Sequence, residues 1–99
     1  MRYTTYCTAI KYGGALEWDF AFQMVPKVTS SQHRDTLLSA LGCSREPWIL
    51  VRYLSKSMDP DSAIRKQDGR RVVGAVAANP VGRPIAFNFL KKNFDELLP

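Results

Sequence analysis

Six stretches of this chain place apolar side chains at helical spacing, and each is bounded by glycine, proline or a short hydroxyl-rich run. A period of 3.6 gathers such residues on one face of a helix, whereas the period-two alternation of half-buried strands is scarce here. The class predicted is therefore all-α, with about six helices as three antiparallel hairpins in a fragment of a HEAT- or armadillo-like α-solenoid.

The stretches are distinct. Tyr3, Tyr6, Cys7 and Ile10 share one face, and Gly13-Gly14 is expected to end that helix through left-handed backbone. Trp18, Ala21, Phe22 and Val25 repeat the spacing before Pro26, which has no amide proton to continue the ladder. Hydroxyls at Thr29-Ser30-Ser31 offer caps for a third helix whose Arg34, Leu37, Leu38 and Leu41 face one way until Gly42. Ser44 reads as the cap of a fourth, with Pro47 tolerated in its first turn and Ile49, Leu50, Tyr53 and Leu54 turned inward. Asp59-Pro60-Asp61 reads as the start of a fifth, running through Arg65, Lys66, Arg70 and Arg71 to Val72, Val73, Val76 and Ala77, with Gly69 and Gly74 as weak points. Asn79-Pro80-Val81-Gly82 breaks the chain, and a sixth helix after Pro84 is expected to bury Phe87, Leu90, Phe94 and Leu97 and to run to the end.

Ninety-nine residues suit a single domain, and a 45% hydrophobic, 23% charged composition supports a packed core and not disorder. No stretch approaches the ~20 apolar residues of a membrane-spanning helix. Met1-Arg2-Tyr3-Thr4 opens on polar residues where a secretory signal has an apolar region, so the chain as written is expected in the cytoplasm. A formal net charge of +5 permits weak attraction to anionic surfaces without naming one.

Reactive chemistry is sparse. His33 is the single histidine, and near the start of a polar helical turn it reads as a solvated side chain, not a ligand. Cys7 and Cys43 lack Cys-x-x-Cys spacing, and as residues alone they fit buried thiols. Glu17 with Asp19, Asp59 with Asp61 and Asp95 with Glu96 are adjacent or alternate carboxylates that do not face one another. No glycine run precedes a Lys-Ser/Thr pair, so a phosphate loop is excluded. The segment Arg65-Lys66-Gln67-Asp68-Gly69-Arg70-Arg71 reads first as a solvated face and second as a surface for an anionic partner. It has no interleaved aromatics, which makes nucleic acid a minor alternative. Catalytic, cofactor-binding and metal residues are expected to number none.

Several short motifs are more specific than this pattern. Tyr6-Cys7, Glu17-Trp18-Asp19-Phe20, Ala40-Leu41-Gly42-Cys43-Ser44, Trp48-Ile49-Leu50, Arg52-Tyr53-Leu54, Ile64-Arg65-Lys66-Gln67-Asp68 and Asn79-Pro80-Val81-Gly82 follow one another from residue 6 to residue 82. In this order the chain resembles part of the C-terminal helical domain of zinc aminopeptidases of the aminopeptidase N type, over essentially residues 2 to 98. The resemblance makes 1–99 a single, partial C-terminal helical domain. It departs from the pattern at Val51, where close relatives have asparagine, at an extra residue around Ser62-Ala63, at Gly69, and at Phe94 in place of tryptophan.

The resemblance implies a disulfide between Cys7 and Cys43 in an oxidising compartment, and places the whole enzyme at the cell surface or in the secretory pathway. It implies a non-catalytic role: covering an active site and shaping the cavity through which peptides reach a zinc centre carried elsewhere, with Arg65, Lys66, Gln67, Arg70 and Arg71 as cavity wall or anionic-partner surface. The histidine pair, the glutamates and the Gly-x-Met-Glu-Asn segment of the family's catalytic domain are absent from these residues. The chain alone is expected to be inactive and to hold no zinc. The partners implied are the catalytic domain of the parent or a homologue, with peptides or self-association after it. An independent α-solenoid scaffold that binds peptide or protein is the competing reading.

Overall fold

In the computed structural model, which describes residues 3–59, 61, 62, 64 and 68–93, the chain forms six α-helices and no strand among those residues. They are α1 (Tyr3–Tyr12), α2 (Ala15–Met24), α3 (Ser31–Ala40), α4 (Pro47–Ser57), α5 (Gly69–Ala78) and α6 (Arg83–Lys92), with single 3-10 turns at Val25–Lys27 and Leu41–Cys43. The all-α expectation holds. The odd-numbered helices make one row, α1 on α3 and α3 on α5, and α4 packs on α5 and α6 behind it. α2 joins α4 through Trp18 and Phe22, whose rings both meet Tyr53 edge-on. The core between the rows is built from Trp18, Val25, Leu37, Leu38, Leu41, Ile49, Leu50, Tyr53, Leu54, Val72 and Val76, all fully enclosed.

Helix ends follow local chemistry, with three departures from the sequence expectation, at the ends of α1, α4 and α5. α1 does stop at Gly13, whose amide donates to the Ala9 carbonyl at 2.9 Å, but no described glycine has a positive φ. What requires glycine there is close approach, since a Cβ would sit 2.7 Å from the Ala9 oxygen and 2.8 Å from the Glu17 Cβ. Gly14 is extended at φ −106° and ψ −157°, and its amide donates to the Glu17 carboxylate. Ser30 caps α3 as its hydroxyl suggested, accepting the His33 amide at 3.3 Å.

α4 starts differently. Its N-cap is Glu46, and Ser44 instead accepts the Glu46 amide in a turn just before the helix. α5 begins at Gly69 behind the cap residue Asp68, not at Asp59-Pro60-Asp61. Asp59 turns its carboxylate onto the Asp61 amide at 2.9 Å, and such a local bond competes with the helical ladder, so the apparent start signal makes a turn. Gly69 therefore opens the helix instead of weakening its middle, while Gly74 does lie inside it.

α6 presents a different face from the one expected. Ala86 is buried and Ile85 and Phe89 pack against the core, whereas Phe87 and Leu90 are exposed. The Asn93 side-chain amide donates to the Phe89 carbonyl at the end of this helix, and Phe94 and Leu97 lie outside the described residues.

Candidate functional site

Helix α3 ends in a cluster of carbonyls that the rest of the molecule converges upon. The last carbonyls of a helix have no intrahelical partner, and here neighbouring helices supply the donors. The Trp18 indole nitrogen on α2 donates to Leu41 at 2.9 Å. The Tyr53 hydroxyl on α4 donates to Leu38 at 2.5 Å. The Asn79 side-chain amide beyond α5 donates to both Gly42 at 3.0 Å and Ser44 at 2.7 Å. Cys43 is bonded to Cys7 of α1, the pairing the resemblance implied, with a Cα separation of 5.3 Å. Residues 38–44 thus hold α1, α2, α4 and the end of α5 at once.

Close approach tightens the cluster further. A Cβ on Gly42 would lie 2.7 Å from the Ala75 carbonyl carbon, so α5 rests on this turn backbone to backbone. Trp18 stacks on Phe22 with centroids 5.2 Å apart and meets the edge of Tyr53 at 5.4 Å. Burial pushes the Tyr53 phenol far above its usual range, reinforced by the Asp68 carboxylate, so this hydroxyl remains a neutral donor. Outside the core, Arg52 pairs with Asp19 and lies over the rings of Trp18 and Trp48 at 5.2 and 5.8 Å. Trp18, Asp19, Arg52, Tyr53 and Asn79 of these motifs therefore act as ties between helices, while Glu17 caps the start of its own.

An open groove of about 990 Å³ runs over the odd-numbered row. Its walls include Tyr3, Asp35, Asp68, Arg70 and Arg71, with Gly74 and Ala75 among its small residues. Arg71 reaches across from α5 to Asp35 of α3 at 3.5 Å. At its base Arg34 donates to Asp68 at 2.9 Å, an ion pair whose two side chains are each only 10% exposed. Arg70 and Arg71 are among the residues lining this groove, and Arg65, Lys66 and Gln67, named with them from the sequence, lie outside the described residues.

Two features were missed by sequence reasoning. His33 is half-buried and its Nε2 meets the Tyr6 hydroxyl at 2.8 Å, with the rings stacked at 5.8 Å, so the solvated reading does not stand. Its partner sits on another helix, 27 residues away, where spacing gives no signal. Arg34 did carry one, as a charge placed within a leucine stripe, which requires a counter-ion when buried. Among the described residues no three His, Cys, Asp or Glu side chains cluster as a metal site.

Comparison with known proteins accords with these motifs. A family model described as the ERAP1-like C-terminal domain matches residues 1–99. Aminopeptidase N of Rattus norvegicus is 44% identical over 97 residues, covering 98% of this chain and 10% of that protein. The human aminopeptidase N is 41% identical over 97 residues with the same two shares, and that of the nematode Haemonchus contortus is 31% identical over 99 residues. The chain spans about a tenth of the length of these curated relatives.

Proposed function

The chain belongs to the family of ERAP1-like C-terminal domains, and from that premise we propose that it is a non-catalytic segment of a zinc aminopeptidase. Its work is steric: stacked as part of a helical solenoid against the catalytic domain, it covers the active site and shapes the route by which peptides enter. The observation that carries this reading is the use made of the signature residues. Trp18, Tyr53, Asn79 and the Cys7–Cys43 bond all serve the fixed geometry of one helical turn, as a wall requires and a reaction does not.

Zinc belongs to the catalytic portion in this reading. One histidine in the whole chain cannot furnish the two-histidine, one-glutamate set of such a centre. The Arg70 and Arg71 wall of the groove faces the access cavity and meets anionic parts of incoming peptides, and the intact enzyme works at the cell surface or along the secretory route.

Exchange of this segment for the matching one in the rat aminopeptidase N tests the proposal. The chimera is expected to keep its turnover of short aminoacyl anilides, whose reaction needs only the catalytic domain, and to change its KM for longer peptides. The purified chain alone is expected to release no aminoacyl product with added zinc. Metal-dependent cleavage by the isolated chain, or a chimera whose length preference is unchanged, would refute the reading.

A further inference from the structure

Gly74 lies in the interior of α5, where glycine weakens a helix and nothing in the fold requires it. A Cβ on Gly13, Gly42 or Gly82 would come within 2.7, 2.7 and 2.4 Å of a neighbouring backbone atom, whereas one on Gly74 would meet no neighbouring atom within 4 Å. Its φ is not positive either. The space beside Gly74 is the groove, so the bare backbone of α5 is open there to close approach by another chain.

The lining suits an extended peptide. Ser31, Asp35 and Ser39 recur every four residues along α3, and Arg70, Gly74 and Ala78 do the same along α5, so each wall is one helix face. At about 1.5 Å per residue the α5 wall from Arg70 to Ala78 extends about 12 Å, the reach of roughly four residues of extended chain. Hydroxyls and bare backbone, not an apolar stripe, make up these walls, and an extended segment brings amides and carbonyls that need polar partners.

The charges set which side chain enters. Asp68 is taken by Arg34 at 2.9 Å, with both side chains nearly enclosed. Asp35 holds Arg71 at 3.5 Å, and these two side chains are 40% and 46% exposed, a weak pair that opens readily. Arg70 is exposed, and among the described residues no ion pair engages it. The spare charge of the groove is therefore a guanidinium, which takes a carboxylate through two parallel hydrogen bonds.

We propose that the α3–α5 groove binds an extended segment of a peptide with its backbone over Gly74 and a glutamate or aspartate side chain on Arg70, Arg71 exchanging Asp35 for the same carboxylate. This rests on the peptidase reading for the source of the peptide and adds to it a preferred side chain. Asp35 then competes with the ligand instead of binding it.

Amide chemical-shift titration of the purified chain with a blocked tetrapeptide, Ala-Ala-Glu-Ala, and with its glutamine and lysine counterparts tests the proposal. The glutamate peptide is expected to shift amides of α3 and α5 and to bind about threefold to tenfold more tightly than the glutamine peptide, with the lysine peptide weakest. Arg70→Gln should reduce that preference to below about twofold, and Asp35→Asn should tighten the glutamate peptide by about twofold to fivefold because it frees Arg71. Gly74→Leu should abolish binding of both peptides while far-UV circular dichroism stays helical; if it unfolds, Arg70→Gln and Asp35→Asn carry the test. Equal affinity for glutamate and glutamine, shifts confined to helices other than α3 and α5, or weaker binding of the glutamate peptide by Asp35→Asn overturns the proposal. A chimera with unchanged length preference would instead strike the steric role and leave this peptide site standing, so the two failures are distinguishable.

Discussion

Removing the Cys7–Cys43 bond should cost the chain much of its stability, and the loss should be concentrated in α1. The bond closes a separation of 36 residues. In the chain-entropy treatment a loop of that size constrains the unfolded state by about 4 kcal/mol at room temperature, against a total of about 5–15 kcal/mol for a typical domain. α1 has little else to hold it: Ile10 is its one buried residue, Tyr6 and Cys7 are half-buried, and Tyr6 adds its bond to His33. For a domain of this length each kcal/mol moves the melting temperature by about 4–8 °C, so Cys7→Ser with Cys43→Ser should lower it by about 15–30 °C. Dithiothreitol acting on the native chain should reproduce that shift. Amide exchange should show α1 opening first in the serine variant while α4, whose inward face is fully enclosed, keeps its protection. A melting temperature that falls by less than about 5 °C, or protection lost equally from α1 and α4, would show that packing and not the cross-link holds α1 in place.

Gly42 and Gly74 should respond to alanine in opposite directions in urea unfolding. Gly42→Ala forces a methyl against the Ala75 backbone and should destabilise by about 1–3 kcal/mol, whereas at Gly74, with nothing within 4 Å, Ala should stabilise by about 0.5–1 kcal/mol. Tyr53 is raised in the folded state, so its contribution is fully present below the unfolded tyrosine value near 10.0 and is lost as pH climbs beyond it. Stability measured above that pH should fall more steeply in the native chain than in Tyr53→Phe, by up to about 1.4 kcal/mol per pH unit; parallel profiles would contradict the assignment. Asp68→Asn leaves the buried Arg34 guanidinium without its carboxylate and should cost about 3–5 kcal/mol by chemical denaturation, with a cost below about 1 kcal/mol counting against it.

Much of the fold is legible residue by residue, and the failures share a cause. The stripes Leu37-Leu38-Leu41 and Ile49-Leu50-Tyr53-Leu54 are buried as their spacing indicates, because each gathers the larger share of its helix's apolar side chains on one face. α6 has two, one through Ile85, Ala86 and Phe89 and another through Phe87 and Leu90. Which of them turns inward depends on α4 and α5, and helical periodicity carries nothing about neighbours. Asp59 fails in the same way, since a carboxylate that caps a helix and one that closes a turn look identical until the chain around them is placed. The disulfide was accessible only through resemblance, as two cysteines far apart in the chain do not announce a shared turn. Of the groove, Arg70 and Arg71 were named from their charge, but Asp35, which meets Arg71, and the Arg34–Asp68 pair at its base belong to contacts between α3 and α5.

An apolar stripe drives a helix to be buried but leaves its rotation and axial register loosely specified, since many hydrophobic packings are close in energy. Polar ties to a single turn remove that freedom. Trp18, Tyr53 and Asn79 each reach carbonyls between Leu38 and Ser44, so a slip of any one helix by a residue breaks a buried or half-buried hydrogen bond; at the two buried ones, from Trp18 and Tyr53, the carbonyl left unsatisfied costs about 1–3 kcal/mol. Three helices referenced to one turn are thereby referenced to one another, and the disulfide adds α1 to the same frame. The groove over α1, α3 and α5 inherits that rigidity, because its walls are the outer faces of helices whose inner faces are pinned. On the steric role proposed above, this accounts for motifs as specific as Glu17-Trp18-Asp19-Phe20 and Ala40-Leu41-Gly42-Cys43-Ser44: for a wall the position of the surface would be the function, and position is what most of these residues determine.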